Sequence, residues 1–290
     1  MKRLSEIAHE EAAMATLVEL TGVFEGIASM RIAQIKNQVL QATSFFHELW
    51  HIYAQLRVGS QFGFGRSQGE DEVIDKELYV IITAEGGFSG DIDQKLIHLM
   101  LETYDKDKNE IIVIGHHGAI QLAQRGISYK KYFKLPVRDQ NINVAPIIKE
   151  VQKYRSTTMF YQEYVSLMSQ KARKIALSMA VQQEGGTSDA ADEIITEANY
   201  IFEPSTYDVV DHLERSMMQI AISQLILESK LAQYASRFRA MSASHQRADD
   251  AKSDLRLAYN RAHRAHKDER LKEIINGLKR SKKTTGAIGL

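Results

Sequence analysis

Residues 205–276 form the stretch that decides the fold; it begins STYDVVDHLERSMMQIAISQLILESK, ends DERLKEIIN, and contains neither proline nor glycine. It is rich in Ala, Leu, Ile, Lys, Arg, Glu and Gln, which favour helices. Apolar residues recur at steps of three and four, as on one face of a helix: Leu227, Leu231, Ala235, Phe238, Met241, Ala248, Leu255, Ala258 and Ala262. An unbroken helix of this length would measure roughly 100 Å. Since a compact domain is narrower than that, we expect the helix to protrude and its apolar stripe to need a partner.

A second long helix is predicted at the other end of the chain, from about Arg3 to Val58, where apolar residues again lie at helical spacing. Two long helices that enter and leave one domain must be antiparallel if they pack together, and their stripes favour a coiled coil. The C-terminal helix has more residues, so its far end should project alone. We therefore divide the chain into an N-terminal coiled-coil helix (1–58), a central domain (70–204), a C-terminal coiled-coil helix (205–283) and a tail (284–290).

The central part has a different pattern, with short apolar runs between helical and polar segments. Strands are predicted at Glu77–Ala84, Glu110–Gly115, Thr158–Leu167, Lys174–Met179 and Glu197–Phe202, helices at Asp91–Tyr104 and Val144–Tyr154, a polar loop at Gln182–Asp192 and a linker at Gly59–Gly69. Alternating strands and helices indicate an α/β domain with a mostly parallel sheet. The fold class is thus α/β plus a long antiparallel coiled coil, with a central Rossmann-like domain.

The composition excludes several classes of protein. Basic and acidic residues number 37 each, which argues against a general nucleic-acid or membrane-surface binder. Cysteine is absent, so disulfides and thiolate chemistry are excluded and a reducing compartment is favoured. The sequence shows no signal peptide and no apolar run long enough to predict insertion into a membrane.

One motif suggests metal chemistry: His47, Glu48 and His51 match H-E-x-x-H on a predicted helix. In zinc peptidases, two histidines four residues apart bind the metal and the glutamate is the general base. The sequence offers no third ligand at a fitting distance, and a paired stalk helix leaves no cleft. A coincidence on the face of a helix is the favoured interpretation.

Two further candidate sites are better explained by local structure. Glu85–Gly90 follows a predicted strand but lacks the lysine and hydroxyl of a phosphate-binding loop, so a tight turn is favoured and no nucleotide or other cofactor is expected. His116 and His117 are adjacent and point to opposite sides, so a role in a loop is favoured over metal binding.

Motifs along nearly the whole chain resemble those of the gamma subunit of F-type ATP synthases. The similar stretches are Leu4-x-Glu6-Ile7 (L-x-E-I), residues 21–29 (T-x-A-M-x-x-V-A-A), residues 87–93, GFSGDID (G-L-C-G-G-F-N), residues 115–118, GHHG (G-x-K-G), residues 161–164, YQEY (Y-N-x-F), residues 200–205 (Y-x-x-E-P-S), and Ser236-Arg237, Leu255–Ala262 and Glu273–Gly277 in the last helix. No single motif is specific, but their order is that of the family.

This resemblance implies a noncatalytic rotor shaft. In the family, the coiled coil turns inside a hexamer of alpha and beta subunits, and the α/β domain lies on the membrane c-ring beside the epsilon subunit. The implied location is peripheral, on the cytoplasmic face of the cell membrane. The implied contacts with the catalytic subunits are Arg237, Met241, Asn260, Arg264 and Glu269, and Asp91 and Asp93 help to position the domain on the ring or on epsilon.

The sequence departs from the family at the far end of the last helix. Residues 260–270 read NRAHRAHKDER where the family has N-x-A-R-Q-A-x-I-T-Q-E, and a basic segment follows Gly277. We interpret the chain as a divergent member whose partner surfaces have changed with it. The alternatives are a zinc metallopeptidase built on the H-E-x-x-H motif and a stand-alone coiled-coil adaptor.

Overall fold

The computed structural model describes residues 4–56, 73–135, 139, 142–185, 201, 203 and 205–286, and within them the side chains other than those of 40–44, 47, 50, 54–56, 182–185 and 280–286. The elements follow one another as α1 (Leu4–Leu56), β1 (Ile74–Ile82), α2 (Ile92–Leu101), β2 (Asn109–Ile114), α3 (His116–Gln124), β3 (Lys131–Phe133), α4 (Ala145–Val151), β4 (Tyr154–Ser166), β5 (Ser169–Ala176), α5 (Leu177–Gly185) and α6 (Thr206–Gly286). The two long terminal helices and the α/β centre confirm the predicted fold class.

The five strands form one sheet in the order β3-β2-β1-β4-β5. All pairings are parallel except that of β4 with β5, a hairpin at one edge. Parallel strands need crossover connections, and α2, α3 and α4 lie in those connections. The sheet is therefore mostly parallel, as predicted.

Both faces of the sheet are buried. Along β1, Leu78, Val80 and Ile82 pack into one apolar cluster, while Tyr79 and Ile81 pack into another on the opposite face. The first cluster contains residues of α1, α4, α5 and α6, and the second contains residues of α2 and α3. Burial on both sides explains why β1 is a nearly continuous apolar run rather than an alternating one.

The chain divides into two compact units, Met1–Glu25 with Met241–Leu290 as unit 1 and Gly26–Ala240 as unit 2. In unit 2, α1 and α6 are antiparallel: Tyr53 donates a hydrogen bond to Glu214 at 2.9 Å, and Phe46 packs with Met217 and Ala221. The pKa of the Tyr53 hydroxyl is raised, mainly because the group is buried and, to a smaller extent, because the Glu214 carboxylate lies beside it.

In unit 1, α1 and α6 contact each other at His245. Its Nδ1 lies 3.0 Å from the Val18 carbonyl oxygen and 3.3 Å from the Thr21 hydroxyl. A Cβ added at Gly22 would lie 3.5 Å from the imidazole, an ordinary van der Waals distance, so the two helices approach closely here. Every residue from 264 to 279 of α6 is exposed, which agrees with the expectation that this end of the helix extends past α1.

Three elements were missed or misread in the sequence. The segment Lys174–Met179 is a strand only to Ala176, and α5 begins at Leu177 because Leu177, Ala180 and Val181 then bury one helical face. Residues 182–185, predicted as loop, belong to α5.

His116 and His117 begin α3 instead of lying in a loop. The strand β3 has only three residues, too few to give a sequence pattern. Glu197–Phe202 and Gly59–Gly69 fall almost entirely outside the described residues.

One described segment, Leu4–Val39 of α1, is long and apolar enough to cross a membrane by length and composition. This differs from the sequence-based expectation, because alanines and larger apolar residues raise the mean hydropathy of the segment although polar residues interrupt them. Only 6 % of its most apolar window is buried. Exposed side chains include Leu17, Leu20 and Phe24, which is also what an amphipathic helix covered by other proteins requires.

Gly26→Ala is expected to stabilise the chain by about 0.5–1 kcal/mol. Gly26 lies inside α1, and an added Cβ would meet nothing within 4 Å, so alanine only reduces the conformational freedom of the unfolded chain. Urea unfolding followed by circular dichroism measures the change. A loss of stability would show that the site is more crowded than described.

Candidate functional site

The most elaborate polar arrangement lies at the carboxyl edge of the parallel strands, where loops bind ligands or partners in open α/β sheets. Here β2 passes into α3 through Gly115, whose φ is +101°. A Cβ at Gly115 would lie 2.1 Å from the Thr83 carbonyl oxygen. The Thr83 hydroxyl donates to the Ile114 carbonyl and accepts from the Gly118 amide, both at 3.0 Å. This close approach of the backbone fixes the start of α3 against the end of β1.

Asp93, in the first turn of α2, is the centre of the buried polar network. Its side chain is 1 % exposed and accepts hydrogen bonds from the Ala84 amide at 3.2 Å, Gln162 Nε2 at 2.8 Å and His117 Nδ1 at 2.7 Å. The Asp93 hydrogen bond and charge raise the pKa of His117 against the opposing effect of burial. Three elements of the sheet domain therefore meet at one carboxylate.

The same network continues onto α6 through Gln162. Its amide oxygen accepts from Gln233 Nε2 at 3.1 Å and from the Ser229 hydroxyl, and its backbone amide donates to the Ser229 oxygen at 3.4 Å. Gln162 and Ser229 are fully buried. Because buried polar groups are costly unless paired, these bonds specify one position of α6 on the domain.

The loop after β1 also contacts α6. The Ser236 hydroxyl donates to the Ser89 carbonyl at 2.6 Å, and Arg237 donates to the carbonyls of Gly87 and Gly86 at 3.3 and 3.4 Å. The Arg237 guanidinium also lies over the Tyr234 ring, 5.2 Å from its centroid. The glycine-rich stretch is thus a turn held against a helix, as predicted, with carbonyls rather than amides facing the cation.

Glu85 connects three neighbouring segments at this edge. Its carboxylate accepts from the backbone amides of His116 and Leu135, each at 3.2 Å, and from the Tyr132 hydroxyl at 3.3 Å. These bonds join the ends of β1, β2 and β3 through one side chain, which stiffens the platform that α6 contacts.

A second buried polar contact joins α1 and α6 to Asp139. Lys230 forms an ion pair with Asp139, and Arg31 of α1 lies 3.4 Å from the same carboxylate. The side chains of Lys230 and Asp139 are 3 % and 1 % exposed. Burial makes each charge dependent on its partner.

The predicted contact residues differ in accessibility. Asn260, Arg264 and Glu269 are exposed, whereas Met241 is buried and Arg237 is engaged by the glycine turn. Of the predicted ring-side pair, Asp91 is exposed and pairs with Lys95 at 2.8 Å, and this hydrogen bond lowers the pKa of Asp91. Asp93 faces inwards, so a direct surface contact is open to Asp91 and not to Asp93.

The possible metal site receives no structural support among the described residues. Glu48 and His51 are exposed on α1, and the His47 side chain lies outside the described part of the chain. No cluster of three or more potential metal-ligating side chains occurs among the described residues.

The network residues His117, Gln162, Ser229 and Gln233 were not identified from the sequence. One signal was available: Ser229 and Gln233 lie between apolar residues on a helix whose neighbouring positions are buried. A polar side chain inside an apolar stripe predicts a buried partner, but not which one.

Comparison with known proteins identifies the family. Residues 3–279 match the family model described as ATP synthase. A chain named ATP synthase gamma chain from Cytophaga hutchinsonii is 21 % identical over 96 % of this chain and 98 % of its own length. Another of that name, from Chlorobaculum parvum, is 23 % identical over 96 % and 98 %.

Solved structures share the fold. A chain in the Euglena gracilis mitochondrial ATP synthase structure of OSCP, F1 and c-ring is 15 % identical, covers 99 % of this chain and 97 % of its own length, and gives a TM-score of 0.65. A chain of the Tetrahymena thermophila central stalk and c-ring structure covers 77 % and 98 % with a TM-score of 0.54.

This chain therefore belongs to the ATP synthase family. The gamma-subunit interpretation from the sequence is confirmed, and it is favoured over the zinc peptidase.

Proposed function

We propose that this chain is the central shaft that couples rotation of a membrane ring to ATP synthesis or hydrolysis in a surrounding head of alpha and beta subunits. The observation that supports this most strongly is the pair of antiparallel terminal helices joined to an α/β domain, in a chain that matches the family over residues 3–279. The catalytic sites belong to the surrounding subunits and not to this chain. The complex lies peripherally on the cytoplasmic face of the cell membrane.

The partner surfaces follow from exposure. Large apolar side chains of α1, Leu17, Leu20 and Met30 among them, are 39–67 % exposed, and a partner that covers them would remove this apolar surface from water. On α6, Leu271, Ile274, Ile275 and Leu278 are exposed at helical spacing. We propose that these apolar faces of α1 and α6 contact the inner surface of the head formed by the alpha and beta subunits.

The polar contacts with the catalytic subunits are assigned to Asn260, Arg264 and Glu269, which are exposed on α6. Arg264 and Glu269 carry opposite charges, and surface charges steer and orient a moving contact more than they add affinity. The α/β domain contacts the c-ring and the epsilon subunit, with Asp91 as one accessible group.

A cysteine cross-link tests the shaft function, because the natural chain has no cysteine. In the assembled complex, Glu269→Cys combined with a cysteine on the facing beta subunit is expected to form an oxidised cross-link that removes most of the ATP hydrolysis, since a tethered shaft cannot turn. Reductant restores the activity. Lys106→Cys, exposed in the connection between α2 and β2, is the matched control.

Failure to co-purify with alpha and beta subunits would favour the stand-alone adaptor. A full equivalent of zinc that is lost in His47→Ala, together with peptidase activity, would favour the metallopeptidase. Full hydrolysis by the cross-linked complex would contradict rotation of this chain.

A further inference from the structure

A continuous line of polar contacts connects a half-exposed histidine to the long helix. His117 on α3 has a side chain that is 35 % exposed and contacts Asp93 on α2, which is 1 % exposed. Asp93 binds the amide nitrogen of Gln162 on β4, and the amide oxygen of Gln162 binds Ser229 and Gln233 on α6. Each step is a hydrogen bond between side chains, and all of them lie within unit 2.

The direction of the Gln162 amide depends on the charge of Asp93. A carboxylate accepts hydrogen bonds only, so it selects the NH2 group of Gln162 and leaves the oxygen facing α6. Two donors on α6 then meet that oxygen. When His117 loses its proton, its hydrogen bond to Asp93 no longer joins two charged groups and is weaker, so the carboxylate is held less firmly beside the Gln162 amide.

When protonated, His117 is the positively charged partner of this buried carboxylate. Other charged groups around the site are engaged elsewhere: Asp91 pairs with Lys95 on α2, Glu85 binds the backbone amide of His116, and Arg237 of α6 binds the glycine turn. His116 lies with its ring edge towards Tyr132, 6.3 Å between centroids, and Lys230 pairs with Asp139. The positive charge next to Asp93 is therefore that of His117.

We propose that His117 is a positioning residue that holds the α/β domain on α6 through Asp93 and Gln162, and that this attachment loosens as His117 loses its proton. The motifs resembled by these two stretches have asparagine at the position of Asp93 and lysine at that of His117, so this chain has a histidine where the motif has a residue whose ordinary pKa is far higher.

The direction of the effect follows from linkage. Asp93 raises the pKa of His117 in the folded chain. When the pKa of a histidine is higher in the folded chain than in the unfolded chain, the protonated form stabilises the fold. This stabilisation is fully present below the pKa of the unfolded chain, about 6.5, and is lost as the pH rises through the pKa of the folded chain. The attachment is therefore tightest on the acid side of neutrality.

Hydrogen exchange on the full-length chain tests the proposal. Protection factors of the α6 segment around Ser229 and Gln233, corrected for intrinsic exchange, are expected to fall about three- to tenfold between pH 6 and pH 9, the range for one charge-assisted hydrogen bond at a partly exposed site. In His117→Gln the same segment should be less protected at pH 6 and should lose the pH dependence.

The double variant Asp93→Asn with His117→Lys is the matched control, because it keeps a donor and an acceptor but removes the group that titrates near neutrality. It is expected to give a flat profile, and it keeps the test decisive if His117→Gln fails to fold. An NMR titration of the His117 imidazole should show a pKa above 6.5 that Asp93→Asn lowers. A flat wild-type profile, or the same slope in the double variant, would overturn the proposal.

A consequence for coupling depends on the proposed shaft function. If the domain passes torque to α6, the ratio of proton transport to ATP hydrolysis in the reconstituted complex should fall at alkaline pH in the wild type and stay constant in the double variant. Failure to assemble the complex would contradict the shaft function and leave the exchange result intact. If the ratio of proton transport to ATP hydrolysis does not change in an assembled complex that still shows the hydrogen-exchange effect, then the His117 contact stabilises the chain but does not affect coupling.

Discussion

Gly115→Ala is expected to lower the free energy of unfolding by about 4 kcal/mol or more, because an added Cβ would make a closer contact there than at any other described glycine. The φ of +101° is accessible to glycine and costly for alanine. The new Cβ would also lie 2.1 Å from the Thr83 carbonyl oxygen and 2.7 Å from its carbonyl carbon. Both contacts are backbone, so no side-chain rotation relieves them.

The measurement is urea unfolding followed by circular dichroism and by the fluorescence of Trp50, the single tryptophan. Gly126→Ala is the control, because Gly126 has a φ of +70° with open space around it. That variant isolates the cost of the backbone angle, about 1 kcal/mol. If Gly115→Ala costs no more than Gly126→Ala, the described junction between β1 and α3 is wrong.

The position of this glycine has a functional consequence. The tight turn brings the first residues of α3 to the end of β1, and this places His117 at 2.7 Å from Asp93. A variant that folds with a displaced α3 should therefore also lose the pH dependence expected for the attachment of α6.

Lys230→Met is expected to lower the free energy of unfolding by about 3–5 kcal/mol. The substitution keeps most of the side-chain volume but leaves the Asp139 carboxylate 1 % exposed, with Arg31 at 3.4 Å as its remaining described ionic partner. Removing Lys230 leaves the buried charge compensated only by the more exposed Arg31, which is worse than removing both charges of the buried pair.

Two further variants separate charge from packing. The double variant Lys230→Met with Asp139→Asn should recover part of the loss, since the buried charge is gone. Lys272→Met, exposed on the same helix, should change the stability by less than about 0.5 kcal/mol. Equal costs for the single and double variants would show that Lys230 acts by packing alone.

Much of the architecture could be predicted because its signals are local. The absence of proline and glycine from 205–276, with apolar steps of three and four, predicted a helix that is observed as Thr206–Gly286. The apolar run at Glu77–Ala84 predicted β1 at Ile74–Ile82. By contrast, β3 has only three residues and gives no sequence pattern. The helix α5 was not predicted, because its apolar face is defined by the packing of Leu177, Ala180 and Val181 into the core.

The candidate site was only partly predictable. Asp93 was selected as a surface contact, yet it is the buried centre of a network. Its role depends on groups that are far apart in the chain. His117 and Gln162 bind Asp93, and Gln233 binds Gln162, across separations of 24 to 71 residues. No spacing rule relates such positions.

The sequence by itself therefore determined the family, the two terminal helices and the mostly parallel sheet, because helix propensity, apolar periodicity and motif order are properties of neighbouring residues. Tertiary structure alone decided which polar side chains meet, where Asp93 and Lys230 are buried and which residues of α6 stay exposed. These outcomes depend on burial, which is a property of the packed chain and not of any stretch within it.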